Sequence, residues 1–205
     1  MRLNLYFFAA ALLILSSSLS TVAQAQDTAK ADKVAAVTAN GLPIVVAGEF
    51  AGLAPRGTAT MRFLGLKVYD VTLHTPTAAA LAAKPYDVTA PPLALELVYD
   101  MNFKGSDIAM RSVEEMRKQG YTNAAQLDKW QAQMTQVFPD IKRGDALIGV
   151  AIPGKEARFY NRTKLIGTIA DAEFVAAFFD IWLSQKSSEP KLRDKLLNVQ
   201  GGNKK

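Results

Sequence analysis

Charged and tyrosine side chains interrupt stretches that otherwise have the composition of apolar β-strands. The set consists of Arg62, Lys67, Tyr69, Glu96 and Tyr99 on the central stretches and of Arg158 and Tyr160 on a later one. A lysine or arginine beside a tyrosine on an apolar sheet can bind one carboxylate or phenolate, because charge-assisted hydrogen bonds are favoured in a dry cavity. The alternative is that the cations extend to the edge of the sheet and the tyrosines hydrogen-bond locally.

Other reactive groups are scarce in this chain. It has no cysteine, and its only histidine is His74, at the end of a predicted strand. A lone histidine in such a place is more often a surface or hydrogen-bonded residue than a metal ligand, because structural metal sites collect several ligands. No glycine-rich phosphate loop and no G-x-S-x-G sequence occurs. The sequence therefore predicts no metal site, no cofactor and no catalytic residue of these kinds.

The chain is basic, but its charges are not patterned for nucleic acid. The formal net charge is +5 over 205 residues, and 49% of the residues are hydrophobic and 21% charged. The basic residues are scattered among acids, and no run of five like charges occurs. This composition is typical of one globular domain with a solvated surface of mixed charge. We expect no nucleic-acid partner.

The first 25 residues have the features of a secretory signal peptide. Arg2 supplies a positive start, residues 5–15 are apolar, and residues 23–25 read A-Q-A, a typical cleavage site. The apolar segment is too short to span a bilayer, and the cleavage site lacks the cysteine of a lipoprotein. We therefore expect cleavage after Ala25, a periplasmic or secreted product, and no stable membrane anchor after cleavage.

The rest of the chain divides into an arm, a domain and a tail. Residues 26–40 are polar and Ala-rich with little apolar periodicity, which predicts a flexible N-terminal arm. Residues 41–199 carry the patterned elements and form the predicted domain. The last residues, 200–205, are expected to be a disordered tail.

Within the domain, periodicity predicts strands and helices in separate blocks. Alternating or β-branched stretches predict strands at 44–50, 58–75 (one long strand or a pair broken at Gly65), 93–99, 146–152, 157–160 and 165–169, with a turn at 52–57. Helical spacing and caps predict helices at 77–83, 106–119 (capped by Ser106), 123–137 and 171–183, and a last one after Ser187 and Ser188. No βαβ alternation is present. The pattern favours an α+β fold, with an antiparallel sheet and helices collected on one face.

The helix at 171–183 has the strongest pattern in the domain. Asp171 stands at its N-cap position, and Phe174, Phe178, Ile181 and Trp182 recur on one face. So broad an aromatic surface requires the sheet as its partner. The aromatic residues are most simply core, and the alternative is that one edge of this face forms the apolar wall of a ligand cleft.

Seven short motifs follow one another in a fixed order along the chain. They are F-L-G-L-K-V-Y-D-V-T-L from residue 63, L-E-L-V-Y from 95, S-V-E-E-M-R from 112, F-P-D-I-K-R-G-D from 138, P-G-x-x-A-R-F-Y from 153, F-F-D-I-W-L from 178 and P-K-L-R-D-K-L-L from 190. In this order they resemble the chalcone isomerase-like family, in its bacterial exported branch, over about residues 42–198. The resemblance implies an open-faced β-sandwich, in which a large antiparallel sheet carries a helical layer with a ligand cleft between them.

The resemblance also bears on catalysis. Plant members of the family close a flavanone ring and hold the phenolate with a threonine, a tyrosine and an asparagine. The matching positions here hold Leu64, Ile108 and Glu115, which lack the hydroxyl or amide that this chemistry uses. The strand arginine of the enzymes corresponds either to Arg56 or to Arg62. The resemblance therefore implies a protein that has lost the cyclisation reaction.

Fatty-acid-binding relatives in the family hold a carboxylate with an arginine and a tyrosine. Arg62 with Tyr69 or Tyr99 resembles that pair, and Lys67 is a further candidate ligand-binding residue. We therefore expect an exported, non-catalytic protein that binds a small apolar carboxylated ligand such as a fatty acid. The alternatives are an isomerase or lyase that acts on a phenolic or enone substrate, and a structural or partner-binding envelope protein.

Overall fold

The computed structural model describes residues 37–39, 41–83 and 90–199; the predicted signal peptide, nearly all of the predicted arm and the predicted tail lie outside them. The strands are β1 (Leu53–Phe63), β2 (Leu66–Pro76), β3 (Leu93–Tyr99), β4 (Ala146–Ile152), β5 (Glu156–Tyr160) and β6 (Leu165–Ile169). The helices are α1 (Ile44–Glu49), α2 (Ala78–Ala83), α3 (Gly105–Gln119), α4 (Ala124–Val137), α5 (Ala172–Leu183) and α6 (Pro190–Leu196).

The six strands form one antiparallel sheet in the order in which they follow along the chain. β1 and β2 make a long hairpin that turns at Leu64 and Gly65, which confirms the predicted break at Gly65. The ladder between β2 and β3 begins only at Tyr69 and Tyr99, so the end of the hairpin extends past β3. Every pair of neighbouring strands is antiparallel. The connections from β1 to β2, from β3 to β4 and from β5 to β6 therefore lie at the same edge of the sheet, the one formed by the ends of the strands.

A layer of helices covers one face of the sheet, as the sequence predicts. α3 packs against α4 and α5, while α5 packs on β4 and β5 and α6 on β1. The alternation of β3 separates the two faces, because Leu95, Leu97 and Tyr99 join the core under these helices and Ala94 joins a smaller core on the other side. The α+β prediction is thereby confirmed, and the open sheet carries its main core on the helical face.

The segment at 44–50 is a helix, so its prediction as a strand is wrong. Leu42, Val46 and Phe50 are buried at four-residue intervals, whereas Ile44 is exposed, which is helical periodicity. Pro43 precedes the helix, and its carbonyl accepts hydrogen bonds from the backbone of Val46. The short apolar run did not distinguish the two structures from sequence alone. α1 packs on the face opposite to α3–α6, against Ala94, Ala146, Ile148, Val150 and Tyr160.

The predicted turn at 52–57 is also wrong, because β1 already begins at Leu53. Only Gly52, with a φ of 88°, has the left-handed backbone of a turn residue. Pro55 lies within the strand. This is possible because β1 is the outermost strand and Pro55 sits beside an irregularity in the ladder, where no backbone donor is needed.

α3 begins one residue before the predicted cap at Ser106. Its first backbone N–H, from Gly105, donates to the Asp140 carboxylate at 3.1 Å, so a side chain distant in sequence satisfies this end. A side chain at Gly105 would place its Cβ 2.0 Å from the carbonyl oxygen of Phe138. The close approach of this loop, rather than a local capping residue, therefore sets the start of the helix.

The predicted N-cap of α5 is confirmed. The Asp171 carboxylate accepts from the backbone N–H groups of Glu173 and Phe174, each at 3.1 Å, and from the indole of Trp130 at 3.1 Å. Burial would raise the pKa of this carboxyl. The bonds from Trp130 and Phe174 and the nearby Lys129 outweigh burial, so the pKa is lowered. One side chain thus fixes α5 to α4 while capping its first turn.

The aromatic face of α5 is core, as its spacing predicts. Phe174 and Phe178 are buried and stack on each other with ring centres 5.4 Å apart. Phe159 of β5 meets Phe178 edge-on at 5.3 Å, and Trp182 meets Phe178 at 5.4 Å. Edge-to-face contacts of this kind add to the burial of apolar surface. The helix is thereby held in one position along the sheet.

Replacing Asp171 tests this anchor. We expect Asp171→Ala to lower the free energy of unfolding by about 2–3 kcal/mol, because a cap is lost and the buried Trp130 indole loses its acceptor. Asp171→Asn keeps an acceptor at the cap and should cost less. Because the folded-state pKa is below the ordinary 3.8, the charge contribution is complete above that pH and is lost as the pH falls through the lowered pKa.

Urea or thermal unfolding of the variants between neutral pH and about pH 3 measures both effects, and Asp128→Ala is the matched control. Asp128 is an exposed carboxylate on α4 and should change stability by no more than about 0.5 kcal/mol. Equal stabilities for Asp171→Ala and Asp128→Ala would show that the cap does not hold α5.

Candidate functional site

The structure brings two of the predicted site residues, Tyr69 and Tyr99, into contact. They are paired across β2 and β3 and face the helices, and their rings meet edge-on at 5.7 Å. The Trp182 indole of α5 donates to the Tyr69 hydroxyl at 3.1 Å. Burial raises the pKa of Tyr69 to about 12 and that of Tyr99 further still. Both phenols therefore stay neutral at ordinary pH and can donate hydrogen bonds.

The two predicted cations lie outside this pair, towards the end of the β1–β2 hairpin. Arg62 is the cross-strand partner of Lys67, and its guanidinium donates to the Gly65 carbonyl at 3.2 Å. Lys67 pairs with the Asp70 carboxylate at 2.7 Å. Arg62 is exposed and Lys67 half-buried, and both extend to the edge of the sheet, whereas Tyr99 is buried in the core and Tyr69 packs partly buried against it.

A shallow groove of about 160 Å³ begins at Arg62, between β1 and α6. It is lined by Thr60, Met61, Arg62, Glu189, Lys191, Leu192 and Lys195. Sequence reasoning missed the α6 residues. Their contribution depends on how closely α6 approaches β1, where a Cβ on Gly57 would lie 2.2 Å from the Lys195 carbonyl oxygen.

The groove carries an excess of positive charge. Arg62, Lys191 and Lys195 take part in none of the ion pairs seen among the residues that the structure describes. Glu189 is the acidic residue that lines it. Its floor is apolar, because Leu192 is buried and Met61 packs against the main core. Met61 is also the cross-strand partner of Tyr69, so the floor of the groove leads to the tyrosine pair.

A buried glutamate lies beyond the tyrosines. The Glu115 carboxylate pairs with Arg111 at 2.5 Å and Lys118 at 2.8 Å and accepts from the Ser188 hydroxyl at 2.5 Å. Burial would raise its pKa, but Lys118, Ser188 and Arg111 lower it overall. The carboxylate is therefore charged and satisfied, and Arg111 is already bound by the chain's own acids.

The second predicted combination of arginine and tyrosine also binds a carboxylate, but that carboxylate belongs to the protein. Glu49 of α1 binds the Arg158 guanidinium at 2.7 Å and accepts from the Tyr160 hydroxyl at 3.0 Å. Glu156 holds the other side of Arg158 at 2.6 Å. Burial and the Glu49 contact raise the pKa of Tyr160 to about 12. This group fastens α1 to the sheet.

His74 is neither exposed nor hydrogen-bonded, contrary to the common behaviour of a lone histidine. It is 1% exposed, and neither ring nitrogen has a hydrogen-bond partner. Its nearest carboxylate oxygen belongs to Glu96, at 3.7 Å on the same face of the sheet. Alternation in β2 and β3 could have placed the two side chains on one face, but no sequence signal reports the missing partners. Within the described residues no group of side chains suits a metal ion.

Comparison with known proteins identifies the family of the chain. A model described as chalcone isomerase-like matches residues 31–198. An uncharacterised protein of Haemophilus influenzae is 29% identical over 157 residues, which are 77% of this chain and 74% of that protein. The crystal structure of the Arabidopsis thaliana fatty-acid binding protein AtFAP1 shares the fold, with a TM-score of 0.54 and 12% identity over 72% of this chain and 88% of that one. The chain therefore belongs to the chalcone isomerase-like family.

Proposed function

We propose that this protein is exported and binds, without catalysis, a small apolar ligand with a carboxylate group, such as a fatty acid. The observation that carries the proposal is the groove between β1 and α6. It has an apolar floor and three cations, Arg62, Lys191 and Lys195, that take part in no ion pair among the described residues and share the groove with one acid, Glu189. An anionic head group would find charge-assisted partners there, next to a surface suited to methylene groups.

The geometry suggests how the ligand lies. Its carboxylate meets Arg62 and Lys195 at the open side of the groove, and its apolar part follows Met61 towards Tyr69. Both tyrosines face the main core, and Tyr69 is in contact with Trp182 of α5. The other arginines are less suitable, because Arg158 already forms ion pairs with Glu49 and Glu156, and Arg111 forms ion pairs with acidic residues of its own helix.

The size of the groove limits the ligand. At about 160 Å³ it is smaller than the 300–1,000 Å³ typical of sites that enclose a drug-sized ligand. It holds a head group and the first methylenes as it stands. A long chain enters only if Leu192, which closes the inner side, moves with the seven-residue helix α6. We therefore expect short carboxylates to bind without rearrangement and long ones to displace α6.

The similar plant structure supports the proposal only through the fold. AtFAP1 is described as a fatty-acid binding protein, and it shares the fold of this chain over 72% of this chain's residues. At 12% identity the superposition transfers no residue roles. It supports the idea that this fold can hold a fatty acid, and the groove residues support the choice of site.

The side chains at the positions aligned with the catalytic residues of plant chalcone isomerases argue against an isomerase. Leu64 lies in the hairpin turn, exposed and without a polar atom on its side chain. Ile108 packs against the main core. The Glu115 carboxylate already pairs with Arg111 and Lys118 and accepts a hydrogen bond from Ser188. No group at these positions can bind the phenolate of a chalcone or polarise its carbonyl.

Ligand binding is tested with octanoate and its uncharged analogue octanol, by calorimetry and thermal shift. We expect octanoate to bind and octanol to bind more weakly, because only octanoate meets the cations. Arg62→Ala should lower the affinity for octanoate about two- to fivefold, which corresponds to the loss of one exposed charge pair. Lys155→Ala is the control, since Lys155 lies in the β4–β5 turn at the other edge of the sheet. Absence of octanoate binding, or equal affinities for the two variants, would contradict the proposal.

Catalysis is tested by following the depletion of a chalcone at neutral pH. We expect a rate equal to that of buffer, because the hydroxyl and amide groups of the reaction are missing at Leu64, Ile108 and Glu115. Leu64→Thr serves as a comparison and should also be inactive, since that position is exposed to solvent. A rate above buffer that depends on enzyme concentration would refute the non-catalytic assignment.

Export is tested by fractionating bacterial cells that express the full chain. We expect the mature protein in the periplasm or medium, with Gln26 as its first residue, because residues 23–25 match the cleavage pattern. Mass spectrometry of the intact protein measures the processed end. A chain that retains Met1–Ala25 and stays in the cytoplasm would show that this segment is not an export signal.

A further inference from the structure

The edge of the sheet that carries the β1–β2 turn has an unusual share of exposed apolar side chains. The turn presents Phe63, Leu64 and Leu66, which are 41%, 86% and 59% exposed, and Leu165 at the start of β6 is 43% exposed. Only three other large apolar side chains among the described residues are exposed: Val37, Ile44 and Val199. We call this edge the tip edge. The hairpin extends past β3 there, so Leu64 and Leu66 project from the sheet.

The turn itself contains a costly residue. Leu64 and Gly65 have φ angles of 49° and 84°, the two positive values of the hairpin turn that normally selects Asn-Gly. Glycine takes this conformation freely, but a leucine is strained by it. The backbone of Leu64 is therefore strained, and its side chain, which is almost fully exposed, contributes nothing to the core. A local conflict of this kind, without a gain in the core to offset it, points to a role outside the folded monomer.

Basic side chains surround the apolar turn. Arg62 and Lys67 flank it as cross-strand partners. The segment before β4 adds the exposed Lys142 and Arg143, and the β5–β6 turn adds the exposed Lys164, all at the same edge. Asp70 neutralises Lys67 and Asp100 contacts Arg143 at 3.6 Å, while Arg62, Lys142 and Lys164 are in none of the ion pairs of the described residues. The exposed Asp145, which accepts from the backbone N–H of Lys142, is a third carboxylate here. The tip edge is therefore apolar at its projecting point, and its cations exceed its carboxylates.

We infer that the tip edge docks on the surface of a bilayer with anionic head groups, inserting Leu64 and Leu66 at the interface. No helix within the described residues is long and apolar enough to cross a membrane, so this contact would be peripheral. Apolar side chains that enter the head-group region, together with cations that meet anionic lipids, are the two contributions that drive such binding. The inference does not depend on the proposed ligand.

A lipid surface fits the tip edge better than a protein does. A stable protein interface buries about 800 Å² on each partner, with a packed apolar centre. The projecting turn offers three apolar side chains, and the cations are spread along the whole edge rather than grouped around a pocket. A fluid, planar and anionic surface can meet both the projecting turn and the distributed cations. Self-association or a protein partner is then an outcome that the experiment must be able to reveal.

The main test is co-sedimentation of the mature protein with phosphatidylglycerol/phosphatidylcholine vesicles and with pure phosphatidylcholine vesicles, without added ligand. We expect binding to the anionic vesicles, weaker binding to the neutral ones, and loss of binding as salt rises from about 0.1 M to about 1 M. Leu64→Asn should reduce partitioning into anionic vesicles about tenfold. The same variant should raise the Tm by about 3 °C, because asparagine accepts the left-handed backbone.

Val199→Asn is the matched control, because Val199 is 54% exposed and follows α6, away from the tip edge. It should leave vesicle binding unchanged. The inference is overturned if the wild type does not bind anionic vesicles, or if Leu64→Asn is more stable yet binds them equally well. It is also overturned if Leu64→Asn abolishes self-association in gel filtration while vesicles bind neither protein. Because octanoate binding is measured without vesicles, failure of either proposal leaves the other intact.

Discussion

The packing of the aromatic face of α5 on the sheet determines how the rest of this molecule is arranged. Asp171 fixes the start of the helix to Trp130, and Phe174 and Phe178 interlock with Phe159 in the middle. At the other end Trp182 bonds to Tyr69. Since these contacts span the whole helix, α5 cannot slide along the sheet without breaking several at once. The bond from Trp182 to Tyr69 and the position of α6 after α5 both follow from that fixed placement.

Competition among the protein's own carboxylates decides which cations remain for a partner. A cation on an apolar surface binds the nearest carboxylate, and in this fold Glu49, Glu156, Glu114 and Glu115 occupy Arg158 and Arg111. The same chemistry that could recognise a fatty acid therefore fastens α1 to the sheet and forms ion pairs within α3. Arg62, Lys191 and Lys195 remain outside ion pairs because β1 and α6 bring three cations to the groove but only one acid, Glu189. Positive charge is thereby concentrated at one side of the sheet.

The two proposed surfaces meet at Arg62, which lines the groove and also flanks the hairpin turn. A carboxylated lipid that leaves a membrane at the tip edge would reach the groove along β1 without crossing open solvent. In this proposal, the backbone strain at Leu64 is the loss of stability that accompanies binding to the membrane. A second unfavourable feature is the buried ring of His74, which lies beside Glu96 without a hydrogen bond. Nothing in the packing of the described residues explains why a histidine stands there.

Local patterns determined most of the fold before any tertiary contact was known. Alternation marked β3 and its two faces, helical spacing with Asp171 marked α5, and Gly65 marked the hairpin, because each depends on residues close together in the chain. The strand prediction at 44–50 was wrong, because a short apolar run fits either structure and packing on the opposite face of the sheet favoured the helix.

The residue types also indicated that arginine and tyrosine would hold a carboxylate, but only the tertiary structure decided which one. Glu49 lies 109 residues before the Arg158 that it binds. No local pattern reports a pairing over such a distance, because it depends on where α1 packs. For the same reason only the fold placed Lys191 and Lys195 beside Arg62. The sequence by itself determined the elements and the available chemistry, and long-range packing decided which charges were already satisfied.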